Sequence, residues 1–145
     1  MPHPPLSGLL FTVLLAADDA GRTLAERLGV GPNDATALRH LIVRGPTGPV
    51  DLGRVLGIGS AAATALADRL ERAGHVERRP HPEDRRRLQL VPTERARQDV
   101  WRVLAPLTTR LDGAEAGLDP AEREAVGRYL AAVLAAYRDY RDAPG

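Results

Sequence analysis

The sequence predicts a mainly α-helical chain with one small β-hairpin, an α+β fold class. Apolar residues recur at intervals of three and four along most of the 145 residues, as they do on the buried face of a helix. Two short β-compatible runs, about 76–79 and 88–91, lie near the middle of the chain. The residues between these runs can form the connecting loop of a hairpin.

The composition is that of an ordinary globular protein, with 43% hydrophobic and 27% charged residues. The chain contains no Cys, so it offers no disulfide and no thiolate ligand for zinc. No apolar run approaches the roughly 20 residues that cross a bilayer. We therefore expect a single domain over residues 1–145 and a cytoplasmic protein.

Two helices are predicted before residue 46. Leucines at helical spacing indicate a long first helix over residues 6–28, which Gly29 ends. A second helix begins at Pro32, since proline suits the first helical position, and it ends at Gly45.

A short helix, a tight turn and another helix follow. The short helix covers about 50–56, and Gly57 is placed to end it in a left-handed conformation. Ser60 is expected to cap the next helix, which continues to about Ala73. This order of elements is a helix-turn-helix. The predicted core face of its second helix consists of Ala63, Leu66, Ala67 and Leu70.

The two β-compatible runs come next and are joined by a long basic loop over residues 80–87. Thr93 then opens a helix that Pro106 should kink. Asp119 followed by Pro120 is a strong start signal for a last helix, which continues to about Tyr140. The terminal helices carry more apolar surface than a small core needs, which predicts a subunit interface.

The charge is unevenly distributed, although the formal net charge is only +1. All 20 basic residues are arginines, and nine of them lie within residues 69–97 beside only five acidic residues. The planar guanidinium suits phosphate and guanine. One basic segment on a nearly neutral chain is typical of a protein that meets a polyanion.

These elements resemble the MarR family of transcriptional regulators over nearly the whole chain. The resemblance is carried by the run DLGRVLGI at 51–58, by DRLERAGHVER at 68–78 and by PEDRR at 82–86. It implies a winged helix-turn-helix lobe over 32–92 that binds duplex DNA, with dimerisation helices over 6–28 and 93–141. It also implies a homodimer, a pseudo-palindromic operator and a ligand-responsive repressor.

The resemblance also implies a set of DNA contacts. The first turns of the second helix of the helix-turn-helix would face base edges in the major groove, and the hairpin would be a wing that inserts Arg86 into the minor groove. Asp84 would orient Arg86 through a charge-assisted pair, and other arginines would meet phosphates. The predicted DNA-binding residues are Ser60, Ala61, Ala62, Thr64, Ala65, Arg69, Arg78, Arg79, Asp84, Arg85, Arg86 and Arg87, with Arg72 as a further phosphate contact.

Members of the family often bind small aromatic or phenolic effectors, which reduce their affinity for DNA. Phe11, His40 and Trp101 are the candidates for such a pocket, although each residue type is more often core filling. No cofactor and no metal site is predicted, because the four histidines show no ligand spacing.

Three other functions are conceivable for a chain of this composition. An enzyme is disfavoured, because the carboxylates are scattered over amphipathic helices and no glycine-rich loop follows a strand. A winged helix used only for protein contacts would not need Asp84 and Arg86. A weakly specific or architectural DNA-binding protein without an effector remains the alternative, because the helix face that would read bases is rich in alanine.

Overall fold

The computed structural model describes residues 5–143, so residues 1–4 and 144–145 of the predicted domain lie outside the described part. It confirms the mainly α-helical class with one antiparallel hairpin. The elements in chain order are α1 (Leu6–Leu28), α2 (Pro32–Arg44), α3 (Pro49–Leu56), α4 (Ser60–Arg72), β1 (Val76–Pro80), β2 (Leu88–Pro92), α5 (Glu94–Ala116) and α6 (Pro120–Asp142).

The chain divides into two compact units, Met1–Leu104 and Ala105–Gly145, with the boundary inside α5. The first unit contains the helix-turn-helix, the hairpin and the hydrophobic core. Its core is built from the inward faces of five helices and both strands, as helical and strand periodicity requires. The fully buried residues of largest volume are Leu24, Leu38, Leu41, Leu52, Leu66, Leu70, Leu90, Val76 and Val100.

The turn between α3 and α4 is stabilised by the motif that the sequence predicted. Gly57 has φ 66° and ψ 30°, in the left-handed region that favours glycine. Its N–H donates to the Arg54 carbonyl at 3.2 Å, and the Ile58 N–H donates to the Gly53 carbonyl at 3.0 Å. This double hydrogen bond satisfies the last carbonyls of α3 and redirects the chain into α4.

The prediction that Ser60 caps α4 is wrong. Gly59 occupies the extended N-cap position, with φ −68° and ψ 164°, and no side chain caps the helix. The Ala63 N–H donates to the Gly59 carbonyl at 2.9 Å, so the helical hydrogen bonding already includes Gly59. The turn is therefore one residue shorter than the sequence suggested, and Ser60 is the first helical residue.

The close approach of α3 and α4 depends on Gly53. A β-carbon at this position would lie 2.8 Å from the Ala63 β-carbon and 3.3 Å from the Ile58 carbonyl oxygen. Real β-carbons do not approach each other that closely, because the interior is already packed to high density. The two helices of the helix-turn-helix can therefore keep their contact only if residue 53 has no side chain.

The hairpin confirms the predicted pairing of two strands. Val76 pairs with Pro92 at one end of the ladder, and Pro80 pairs with Leu88 at the other. The sequence did not predict that Thr47, in the turn-rich loop before α3, also pairs with β2. The Leu90 N–H donates to the Thr47 carbonyl at 2.9 Å, so this loop covers an edge of the hairpin.

Thr93 opens α5 as predicted and also ties this helix to the turn after α4. Its hydroxyl oxygen accepts a hydrogen bond from the Ala96 N–H at 3.2 Å, the arrangement of an N-cap. The same hydroxyl donates to the Gly74 carbonyl at 2.9 Å. The kink predicted at Pro106 stays a prediction, and α5 continues past it to Ala116.

The second unit confirms the predicted start of α6. The Asp119 carboxylate accepts from the Glu122 N–H at 2.8 Å, and the Glu122 carboxylate accepts from the Asp119 N–H at 2.9 Å. This reciprocal capping box satisfies two backbone donors at the helix start. α6 buries none of its residues, although apolar side chains recur along it at helical spacing. The exposed apolar residues are Val126, Leu130, Leu134, Tyr137 and Tyr140.

Among the described helices, none is long and apolar enough to cross a membrane by itself. The pair α3 and α4, bent by 110° at its break, reaches the required length and apolar content only when the two are taken together.

Replacing Gly53 with Ala is expected to add an overpacking cost of about 1–3 kcal/mol. Because Ala gains about 1 kcal/mol over Gly in a helix interior, the full cost should appear as the difference from a variant that makes this gain without a clash. The free energy of unfolding in urea measures the effect. Gly127→Ala in α6 is the control, because no atom lies within 4 Å of its added β-carbon. A Gly53→Ala variant as stable as Gly127→Ala would contradict the packing argument.

Candidate nucleic-acid interface

The outward face of α4 contains every residue that the sequence placed nearest to DNA on this helix. Ser60, Ala61, Ala62, Thr64 and Ala65 are all exposed, because the opposite face supplies the buried residues of the core. The Thr64 hydroxyl donates to the Ser60 carbonyl at 3.0 Å, which leaves its oxygen able to accept. The face is therefore accessible, small and poor in hydrogen-bonding groups.

The hairpin tip after β1 is ordered by hydrogen bonds within the loop. The His81 N–H donates to the Arg87 carbonyl at 2.8 Å, and the Arg87 N–H donates to the Asp84 carbonyl at 3.0 Å. The Glu83 N–H donates to His81 Nδ1 at 3.2 Å. Because these bonds close the loop upon itself, the tip presents its side chains from a defined backbone.

The role predicted for Asp84 is corrected by the structure. Asp84 Oδ1 accepts a hydrogen bond from the backbone N–H of Arg86 at 3.1 Å and makes no ion pair with the Arg86 guanidinium. An aspartate that bonds the backbone two residues on forms an Asx turn, which needs only a short side chain with an acceptor. Asp84 therefore shapes the loop, and the Arg86 side chain extends from it.

The basic residues of the hairpin differ in whether their charge is neutralised within the protein. Over residues 5–143, Arg85 and Arg86 are exposed and have no carboxylate partner. Arg87 lies 3.6 Å from Asp51 of α3, and Arg79 lies 2.7 Å from Glu77 on its own strand. The unpaired arginines of the hairpin therefore lie at its tip, beside the exposed acids Glu83 and Asp84.

Arg78 connects β1 to α4. Its guanidinium pairs with the carboxylates of Asp68 and Glu71, and only 23% of its side chain is exposed. The hydrogen bond to Asp68 and the charge of Glu71 raise the pKa of Arg78. The sequence predicted Arg78 as a phosphate contact, whereas in the structure its guanidinium is paired with two carboxylates of the protein itself. Its contact with phosphate stays a prediction.

Arg69 also forms an ion pair with a carboxylate of the protein itself. Its Nε and Nη2 atoms donate to Asp34 Oδ2 and Oδ1 at 2.8 and 2.6 Å, in a two-point contact between α4 and α2. The hydrogen bonds and the negative charge of Asp34 raise the pKa of Arg69. Asp34 was not among the predicted functional residues, because it lies 35 residues from its partner and reads as an ordinary first-turn acid.

The three candidate pocket residues lie in different surroundings. Phe11 and Trp101 are 61% and 47% exposed. His40 is half-buried and lines a groove of about 350 Å³ together with Thr36, Arg39, Val43, Arg44 and Val55. Neither Phe11 nor Trp101 contributes to this groove, so the prediction of a shared effector pocket remains untested.

The fold and this surface define a class of protein. A short helix, a tight glycine turn and a second helix with a free outward face are followed by a hairpin with an exposed basic tip. This arrangement is a winged helix-turn-helix.

Comparison with known proteins agrees with this class. A family model described as MarR family matches residues 28–87, which include α2, the helix-turn-helix, and the first strand and loop of the hairpin. A curated relative, the uncharacterized HTH-type transcriptional regulator YcgE of Bacillus subtilis, is 37% identical over 84 residues, or 58% of this chain and 54% of that protein. The transcriptional repressor MprA of Escherichia coli is 36% identical over 76 residues, or 52% and 43%.

The chain thus spans about half the length of the curated relatives it matches. A solved structure extends the likeness of the fold over the remaining helices. The transcriptional regulator Tm0710 from Thermotoga maritima is similar with a TM-score of 0.66 at 24% identity, over 96% of this chain and 99% of that one. Over residues 28–87 the chain is thus similar to the MarR family, and over nearly its whole length it shares the fold of Tm0710.

His40 offers a pH-dependent test of the groove. Burial and the positive charge of Arg44 lower the pKa of His40 below its ordinary 6.5. Since the folded chain binds this proton less readily than the unfolded chain, the His40 contribution to stability is fully present above about pH 6.5. It is lost as the pH falls below 6.5 and through the lower pKa of His40 in the folded chain.

We expect the NMR titration midpoint of His40 to lie below 6.5 and to rise in Arg44→Gln. It should remain below 6.5 in that variant, because burial is the larger cause. Arg27→Gln, in the last turn of α1, makes the same change of net charge and should leave the midpoint unchanged. A wild-type midpoint at or above 6.5, or equal shifts in both variants, would refute this assignment.

Proposed function

We propose that the chain is a transcriptional regulator that binds double-stranded DNA as a homodimer and acts in the cytoplasm as a ligand-responsive repressor. The observation that carries the proposal is the pair of exposed arginines, Arg85 and Arg86, at the tip of an ordered hairpin that follows a helix-turn-helix. Two unneutralised guanidinium groups on a rigid loop favour binding to a polyanion.

The outward face of α4 suits insertion into the major groove. The groove admits an α-helix, and the first turns of a recognition helix lie nearest to the base edges. Ser60 and Thr64 offer hydroxyl groups, and the alanine methyl groups between them can contact thymine methyl groups. This face would make few hydrogen bonds to base edges, because its first turn carries no Asn, Gln or Arg.

The hairpin suits the minor groove beside it. A narrow minor groove has an enhanced negative potential that attracts an inserted arginine. Arg86 is the residue we assign to this insertion, and Arg85 and Arg87 would meet the flanking phosphates. Recognition would then rest on DNA shape at least as much as on base contacts.

A second copy of the chain is the partner proposed for the apolar side chains of α6. This helix buries none of its residues, and Val126, Leu130, Leu134 and Tyr137 are 42–53% exposed. Exposed apolar rows of this length mark interaction surfaces. A two-fold dimer would present two copies of α4 to two half-sites of one duplex.

The proposal includes repression of transcription and the release of DNA in response to a small-molecule effector. The relative MprA bears the name transcriptional repressor, which supports this sign of regulation. A small aromatic or phenolic effector that prefers a conformation with misplaced recognition helices would reduce DNA affinity by shifting the population. The groove around His40 is the candidate place for such a molecule.

A weakly specific DNA-binding protein without an effector is the second candidate, and the alanine-rich face of α4 favours it. A titration of the wild-type protein against its own promoter region and against random duplex separates the two functions. We expect preference for a pseudo-palindrome with half-sites roughly 34 Å apart. Affinity should fall by about 10³–10⁵ between 50 and 200 mM salt, as for roughly 6–10 phosphate contacts.

Equal affinity for all duplexes would support the weakly specific function, and no binding at low salt would overturn the proposal. Within the same titration, Arg86→Ala should weaken binding by about 1–3 kcal/mol while circular dichroism shows an intact fold. Arg22→Ala is the matched control, because Arg22 is an exposed arginine of α1 that pairs with Asp19. Equal effects of the two substitutions would show that Arg86 does not enter a groove.

A further inference from the structure

Asp34 is the only charged side chain that is buried among residues 5–143. It lies in the first turn of α2, and 6% of its side chain is exposed. Both carboxylate oxygens accept from the same residue, Arg69, in the two-point geometry that gives arginine and carboxylate pairs their directional specificity. A buried carboxylate needs such a partner, because an unpaired charge in the interior is very costly.

The need of the buried Asp34 carboxylate for a partner restricts the position of α4, which carries Arg69, more than the position of Asp34 itself. Asp34 is held by the core around it, where Ala35 and Leu38 are buried. Arg69 is 55% exposed and would be free to turn toward solvent if it had no partner. Since a planar guanidinium must lie in the plane of the carboxylate to make both bonds, the pair restrains the rotation of α4 about its axis, in addition to the packing of its buried face.

A second connection holds α4 from another direction. Asp68, the residue before Arg69, and Glu71 bind Arg78 of β1. Successive helical residues point about 100° apart, so Asp68 and Arg69 connect α4 to two different neighbours. Rotation of α4 would therefore break the contact with α2 and the contact with β1 together.

We propose that Asp34 is a positioning residue for DNA binding, and that Arg69 acts on DNA through this ion pair and not as a phosphate contact. The buried face of α4 decides which side faces inward, and the pair restrains the rotation that remains, which holds Ser60, Ala61 and Thr64 in one outward direction. This inference rests on the proposed function, since its effect is measured as DNA affinity. It adds Asp34, which makes no contact with DNA itself, to the residues that govern binding.

The two possible roles of Arg69 predict opposite results for Asp34→Asn. If Arg69 contacts phosphate, removing the carboxylate frees a positive charge and DNA affinity should rise. If the pair positions α4, affinity should fall although the net charge becomes more positive. Asp18→Asn, an exposed acid of α1, is the control for the change of charge.

We expect Asp34→Asn and Arg69→Gln each to weaken binding on the order of tenfold, with no further loss in the double variant, because residues of one ion pair are not additive. The slope of affinity against salt should stay that of the wild type. Variants are measured at a temperature where circular dichroism shows them folded. If the ion pair only stabilises the fold, the folded variants should bind DNA with the affinity of the wild type. That result would overturn the inference.

A rise in affinity for Asp34→Asn, or a salt slope smaller by about one phosphate contact for Arg69→Gln, would equally overturn it. Amide hydrogen exchange without DNA is the second readout. Asp34→Asn should lower the protection of α4 amides and leave that of α6 unchanged, and unchanged protection in α4 would contradict the inference. If the wild type binds no duplex, the proposed function fails and exchange alone decides the role of Asp34.

Discussion

The packing of α4 against α3 and α2 is the constraint on which the candidate interface depends. The inward face of α4 is buried completely, and its contact with α3 is so close that Gly53 leaves no room for a β-carbon beside Ala63. The Asp34 and Arg69 ion pair then fixes the helix against α2. Because the inward contacts are specific in shape and in charge, the outward face of α4 has a defined direction.

Four arginines of the basic segment show two different physical roles. Arg69 and Arg78 form ion pairs with carboxylates of the same chain, and these pairs connect α4 to its neighbours. Arg85 and Arg86 remain unpaired at the hairpin tip, where a polyanion could reach them. The count of arginines in the segment therefore overstates the charge available to DNA. Over residues 5–143, Arg72 of α4 is exposed without a carboxylate partner, as Arg85 and Arg86 of the wing are.

Much of the fold could be predicted from local patterns. The helical spacing of leucines predicted α1, and Pro32 and Gly45 predicted the bounds of α2. Gly57 ends α3 as expected, and Asp119 followed by Pro120 predicted the start of α6. The features that escaped prediction are contacts between distant segments. Thr47 pairs with Leu90, and Asp34 pairs with Arg69, through packing that no local spacing encodes. Ser60 failed as a cap because Gly59 can take the same extended position.

The position of the wing on DNA can be measured directly, because the chain contains no cysteine that would react beside an introduced one. A single Arg85→Cys substitution allows an iron chelate to be attached beside Arg86, and the bound chelate cleaves the DNA backbone where it lies. If the wing occupies the minor groove, cleavage should fall at two positions placed symmetrically about the centre of the operator. Cleavage spread evenly along the duplex, or none above that of unlabelled protein, would contradict the account.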